Sequence, residues 1–230
     1  MMRRLLLLTA VLFVAVVPVV AMGDPLRPPD GTYHYELRVA GTVSGQSTVI
    51  VHGGADDFTV DDDSRYTALN VTGHAVAHYA NATLALTSYS VDAVLPSGPQ
   101  HADVTVAPGR MTIAVGTQHV DVAADPTAPL QILGDNFAGT TVMVPAIVTA
   151  SHATRFTYVA TAGAVAVPAT VQADTIPARP VGILSRDAWL VIAVGNIHEA
   201  FWYDPATLVV DAVEITEQSI EFRRVEPAGR

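Results

Sequence analysis

The stretch YHYELRVAGTVSGQSTVIV, residues 33–51, decides the fold. Apolar side chains occupy positions 33, 35, 37 and 39 with polar side chains between them, which is the period-2 pattern of a half-buried strand. Ala40–Gly41 forms a turn, and the alternation resumes beyond it, so this stretch predicts a β-hairpin. Similar alternating stretches, separated by turn residues, continue almost to the end of the chain.

One segment interrupts this pattern. Residues 138–150 are the best helix candidate, but Pro145 forbids an unbroken helix because proline lacks the backbone N–H and clashes with the preceding turn. We therefore predict an all-β fold with minor α content: an antiparallel curved sheet of about 10–13 strands, with one short broken helix near residues 135–150. A half-barrel, a barrel and a sandwich remain open as forms of this sheet.

The N-terminus predicts export. Residues 1–4 are short and basic, residues 5–20 are apolar, and the small residues that follow favour cleavage after Ala21 or after Gly23. The predicted organisation is a signal peptide over 1–21, a connector over 22–30 and a single antiparallel β domain over 31–226. The domain is then extracytoplasmic, either periplasmic or secreted, and meets a membrane only through an uncleaved signal.

The composition excludes several kinds of chemistry. The chain has no lysine and no cysteine, which removes Schiff-base catalysis, phosphate-binding loops that need lysine, thiol nucleophiles and disulfides. A net charge of −10 with mostly isolated arginines disfavours nucleic acid as a partner. Since no catalytic motif is present, we predict no catalytic residue and no cofactor.

Acidic residues and histidines are the remaining candidates for a metal site. Five aspartates lie within residues 56–63, but their spacing does not match a calcium loop, and we interpret residues 61–64 as a polar turn between a short strand, 56–60, and a long strand, 66–79. His74 and His78 point the same way on one strand, but their Cα atoms are about 13 Å apart. The sequence therefore predicts no metal site.

The aromatic residues near the C-terminus are the candidate binding surface. Asp204–Pro205 predicts a tight type I turn, so the strand before it pairs with residues 208–215. Alternation then places the row of residues 208, 210 and 212 in the core and the opposite row on a more open face, together with Asp211. The predicted ligand or partner wall consists of Phe201, Trp202, Tyr203, Val209, Val213 and Ile215.

Two hairpins carry a resemblance to a known group. Residues 33–45, YHYELRVAGTVSG, resemble the first hairpin of uncharacterised exported bacterial β-proteins that are similar to the lipoprotein-carrier half-barrel. Residues 201–215, FWYDPATLVVDAVEI, look like the penultimate hairpin of the same group, with its aromatic strand, Asp turn and aliphatic strand. The resemblance implies an envelope protein with a concave apolar face and transfers no catalytic residue.

These observations favour a non-enzymatic, exported cell-envelope module that binds an apolar or lipid-like ligand or an envelope partner. The first alternative is an envelope hydrolase whose active site is assembled from distant carboxylates and histidines, such as Asp135, Asp187, His198 and Glu199. The second alternative is an accessory structural domain of an exported enzyme. The three hypotheses differ in the pocket they require: apolar, polar and convergent, or absent.

Overall fold

The structure is a computed structural model that describes residues 26–128, 130–135, 137–183 and 187–226. The predicted signal peptide, 1–21, and the first part of the connector lie outside the described residues. Within the described ranges, no helix is both long and apolar enough to cross a membrane.

Fifteen strands and two short helices form the described part of the chain. The N-terminal strands are β1 Gly31–Val39, β2 Thr42–Gly53, β3 Asp57–Tyr66, β4 Val71–Ala80, β5 Leu86–Leu95, β6 Gly98–Ala107, β7 Arg110–Val115 and β8 Gln118–Ala123. The C-terminal strands are β9 Gln131–Leu133, β10 Arg155–Ala160, β11 Val165–Val171, β12 Ala188–Val194, β13 Ile197–Tyr203, β14 Val210–Ile215 and β15 Ile220–Val225. The helices α1 Ala138–Thr141 and α2 Val144–Ser151 lie between β9 and β10.

All fifteen strands belong to one curved sheet, which confirms the predicted fold class. Two meanders run outward from the central pair β1 and β15, one ending at β8 and the other at β9. All the pairings are antiparallel except that of β9 with β10, which is parallel. Among the described residues β8 and β9 do not pair with each other, so the curled sheet stays open there. The number of strands exceeds the predicted 10–13 because short strands such as β9, with three buried residues, show no alternation of apolar and polar side chains by which the sequence could reveal them.

The two helices lie in the concave side of the sheet. All four residues of α1 and the first four of α2 are buried against the same core that both meanders form. The helical segment is interrupted at residues 142–143, between α1 and α2. Pro145 lies in the first turn of α2, where its missing N–H costs no helical hydrogen bond. The broken helix predicted near residues 135–150 is thereby confirmed.

The predicted turn at residues 61–64 is wrong. These residues lie inside β3, whose pairing with β4 continues without a break through Asp63 opposite His74. The chain reverses instead over residues 67–70, where Asn70 adopts a left-handed backbone with φ 52°. The error has a physical cause: polar side chains on the inner face of β3 resemble a solvated turn when only composition is considered.

Asp62 is the inward-facing polar residue that matters most. It is 1% exposed. One carboxylate oxygen accepts hydrogen bonds from the hydroxyls of Ser47 and Ser64, each at 2.6 Å, and the other accepts the backbone N–H of Gly139 at 2.5 Å. Burial raises the pKa of Asp62, while these three donors act in the opposite direction. The carboxylate therefore ties the start of α1 to β3.

Glycine at position 139 allows this contact because it carries no side chain. A Cβ atom at this position would lie 2.7 Å from the Cβ atom of Asp62, closer than such atoms approach. The absence of a side chain thus lets the helix backbone reach the carboxylate directly.

We expect Asp62→Ala to lower the free energy of unfolding by about 3 kcal/mol, because it removes three buried hydrogen bonds and leaves the Gly139 N–H without its acceptor. Asp63→Ala is the matched control, since Asp63 is the next residue of β3 and its side chain is 75% exposed. That change should cost no more than about 0.5 kcal/mol. Denaturant midpoints with unchanged slopes measure both, and equal costs for the two variants would contradict the account of Asp62.

Candidate functional site

The six residues of the predicted wall lie on β13, on β14 and just before β14. Five are buried, and Tyr203 is half-buried. Their side chains do not share one face. Phe201 and Val213 are direct cross-strand partners and belong to the main core on the concave side, whereas Trp202 pairs with Ala212 in a separate small cluster.

The small cluster lies on the convex side of the C-terminal meander. It contains Val191, Ala200, Trp202 and Ala212, with Ile183 and Trp189 packed against it. Ile183 comes from the long connection between β11 and β12, so this connection covers part of the cluster. The binding role assigned to the six residues stays a prediction, with Trp202 on the opposite side of the sheet from Phe201.

The predicted division of residues 208–215 into two rows is wrong. Tyr203 pairs with Val210 and Trp202 pairs with Ala212, so Asp211 is an extra residue opposite a single step of β13. Such a bulge breaks the period-2 alternation. As a result Val210 and Val213 both belong to the main core, while Ala212 faces the convex cluster. Asp211 itself pairs with Arg224 of β15 at 2.5 Å.

The carboxylates proposed for a hydrolase are only partly brought together. Glu199 is 4% exposed and accepts a 2.7 Å hydrogen bond from the hydroxyl of Tyr158. Asp135 is near the same tyrosine and accepts the N–H and hydroxyl of Thr161 at 2.6 and 2.7 Å. Both therefore lie on the concave side.

The other two candidates lie elsewhere. Asp187 lines a small polar depression beside Asp211 and Arg224. His198 is exposed and pairs with Glu217 at 2.7 Å. The four candidate groups therefore do not converge on one cleft.

The interior carboxylates have a clear structural role instead. The hydroxyl of Tyr158 lies 3.3 Å from the carbonyl oxygen of Gly134, next to the bond with Glu199. A side chain at Gly134 would place its Cβ atom 1.9 Å from the Tyr158 ring, so this close approach requires glycine. Together with Asp135, these contacts hold the segment that leads from β9 into α1.

Burial raises the pKa of Glu199 to about 7 from an ordinary value of 4.5. The folded protein therefore holds the proton more tightly than the unfolded chain does. The contribution of Glu199 to the free energy of unfolding should be largest below pH 4.5 and fall by about 3 kcal/mol as the pH rises through 7. Glu199→Gln should remove this part of the pH dependence and be relatively more stable at pH 8 than at pH 5.

Denaturant unfolding of the wild type and of Glu199→Gln at the two pH values measures the effect. Glu226→Gln is the control, because this carboxylate is 88% exposed and should leave the pH dependence as it is in the wild type. An unchanged pH dependence in Glu199→Gln would show that the carboxyl titrates normally in the folded state.

A groove lies where the two ends of the sheet face each other, and we call it the seam groove. It has a volume of about 470 Å³ and a mostly apolar lining. Val106, Met111 and Val122 are successive cross-strand partners on β6, β7 and β8 and form one wall, while Gln131 of β9 and Thr157 of β10 stand on the other.

The seam groove exists because of how the sheet ends. The turn over residues 161–163, after β10, contacts β6 and β7 and brings the two ends together, yet β8 and β9 remain unpaired. Val106 and Val122, the inner-face side chains at the rims of β6 and β8, are consequently left half-buried, as are those of many apolar ligand sites, while Met111 between them is buried. Sequence reasoning missed this groove because its walls come from strands far apart in the chain, and no local pattern marks them.

Comparison with known proteins leaves the function open. The chain matches no protein family and no curated protein by sequence. Among solved structures it is similar to the crystal structure of a β-barrel-like protein of the domain of unknown function DUF1849 from Brucella abortus. The TM-score is 0.49 with 8% sequence identity, over 86% of this chain and 96% of that chain.

Proposed function

We propose that the protein is an exported, non-enzymatic binding module that takes an apolar or lipid-like ligand in the seam groove. The observation that carries the proposal is the apolar row of Val106, Met111 and Val122 facing the opposite end of the sheet, in which Met111 is buried and the two valines are half-buried. The concave face, where a curved sheet could also bind such a ligand, is covered by α1 and α2 in this chain. The seam groove is the apolar surface that remains accessible beside it.

The energetics of such a site are favourable for an acyl chain. Each methylene that leaves water contributes about 0.8 kcal/mol, so a few methylenes in the groove offset much of the entropy lost on binding. The groove also has polar groups at its edge, including Arg110, Asp125 and Gln131. A ligand with an apolar body and a polar end fits this distribution.

Export is supported by the sequence. The basic start, the apolar run and the small residues at 19–21 form a signal-peptide pattern. The chain has no cysteine, so its fold outside the cytoplasm does not depend on disulfides. The acidic net charge argues against nucleic acid as the partner. An envelope protein that presents an apolar segment is the alternative occupant of the same groove.

Titration with a fluorescent fatty-acid analogue tests the proposal. Val122→Asp should weaken binding by roughly tenfold or more, because it places a charge against the apolar wall of the groove. Val120→Asp is the matched control: Val120 lies two residues away on the same face of β8, is 36% exposed and does not line the groove. Its affinity should stay close to that of the wild type.

Two results would contradict the proposal. One is a wild type that takes up no analogue at concentrations well above those used for lipid carriers. The other is an equal loss of affinity in both variants, since that would place the ligand elsewhere or indicate general damage to β8. Thermal unfolding of both variants excludes general damage to β8 when their midpoint temperatures agree with that of the wild type.

A further inference from the structure

Aspartates and histidines alternate across the convex face of the N-terminal meander. The strand register places Asp63 of β3 opposite His74 of β4, His74 opposite Asp92 of β5, and Asp92 opposite His101 of β6. These four side chains line a shallow depression of about 700 Å³. These residues lie within paired strands, so the strand pairing fixes the positions of their Cα atoms.

The geometry differs between the two histidines. His101 lies between two carboxylates, with Nδ1 2.8 Å from Asp92 and Nε2 2.9 Å from Asp103. The hydrogen bonds with Asp92 and Asp103 raise the pKa of His101. Both ring nitrogens of His101 are thus occupied by carboxylates of the protein itself.

At His74 two carboxylates approach the same ring nitrogen. Nδ1 lies 3.2 Å from an oxygen of Asp63 and 3.6 Å from an oxygen of Asp61. A single N–H at Nδ1 points at only one of these oxygens, so a hydrogen bond to Asp63 leaves the Asp61 oxygen without this donor. The three ligand atoms all lie within 4.8 Å of one another, a spacing that allows one metal ion to contact all of them.

We propose that Asp61, Asp63 and His74 bind a divalent transition-metal cation, with Zn²⁺ as the representative ion. Two carboxylate oxygens and one imidazole nitrogen are a ligand set that such ions accept. A cation at this position contacts both carboxylates and the imidazole nitrogen, and it neutralises the two adjacent negative charges. Its remaining coordination positions open toward the depression, where water or an anionic ligand completes the shell. This inference is independent of the seam groove, which lies at another part of the sheet.

The distance between His74 and His78 does not bear on the site formed by Asp61, Asp63 and His74. His74 and His78 are too far apart to share an ion, as their places four residues apart on β4 indicate. The partners of His74 come instead from β3, where Asp61 and Asp63 point to the same face two residues apart. Only the pairing of β3 with β4 brings the three together.

Isothermal titration calorimetry of the folded chain with zinc chloride tests the site. The wild type should bind one equivalent of Zn²⁺ at this site, and His74→Ala should weaken that binding by roughly tenfold or more. His78→Ala is the matched control, because His78 is on the same strand and face but has a single carboxylate, Asp57, at 4.0 Å. Its effect should stay within roughly twofold, which is a small free-energy change.

A second variant makes the test specific. Asp61→Asn should weaken Zn²⁺ binding as His74→Ala does, because it removes one of the two carboxylate ligands. Equal losses in the His74 and His78 variants, or no saturable binding in the wild type, would overturn the proposal. Circular dichroism of each variant separates loss of a ligand from loss of the fold.

Discussion

The hydrogen bond from the Gly139 N–H to the carboxylate of Asp62 is the contact on which the rest of the structure depends. Burying a carboxylate is costly unless donors satisfy it, and here Ser47, Ser64 and Gly139 supply them. Asp62 points inward because β3 pairs on both sides and alternation leaves it no other direction. The buried carboxyl group of Asp62 therefore connects α1 to β3 at this position, in addition to what it contributes to stability.

The docked segment also limits where the proposed ligand could bind. Since α1 and α2 pack against the main core, the concave face of the sheet is occupied by the protein's own side chains. Glu199 and Asp135 hold the start of the same segment through Tyr158 and Thr161. Two buried carboxylates, Asp62 and Glu199, and the half-buried Asp135 thus fix one short stretch of chain. Apolar surface is left at the seam groove, where the sheet stops without closing.

Local patterns predicted much of this fold and little of the candidate site. Period-2 alternation located most strands, and Pro145 located the break between the helices. Two predictions were wrong for different reasons. The bulge at Asp211 breaks the alternation, so residues on either side of it face other sides of the sheet than predicted. Asp62 is a polar residue that points inward within a regular strand, and its polarity resembles that of a turn. The seam groove and the set around His74 each combine residues from different strands, so they depend on pairings that one strand's sequence does not contain.

We propose that an apolar ligand binds in the seam groove while α1 and α2 continue to fill the concave face. Methyl NMR of the protein with and without a bound fatty acid tests it most directly, because methyl groups report from both places. The account predicts large shifts for Val106, Met111 and Val122, with Val144 and Ile147 of α2 unchanged. Shifts centred on the α2 methyl groups would contradict it, since they would mean that the ligand displaces the helices and enters the interior.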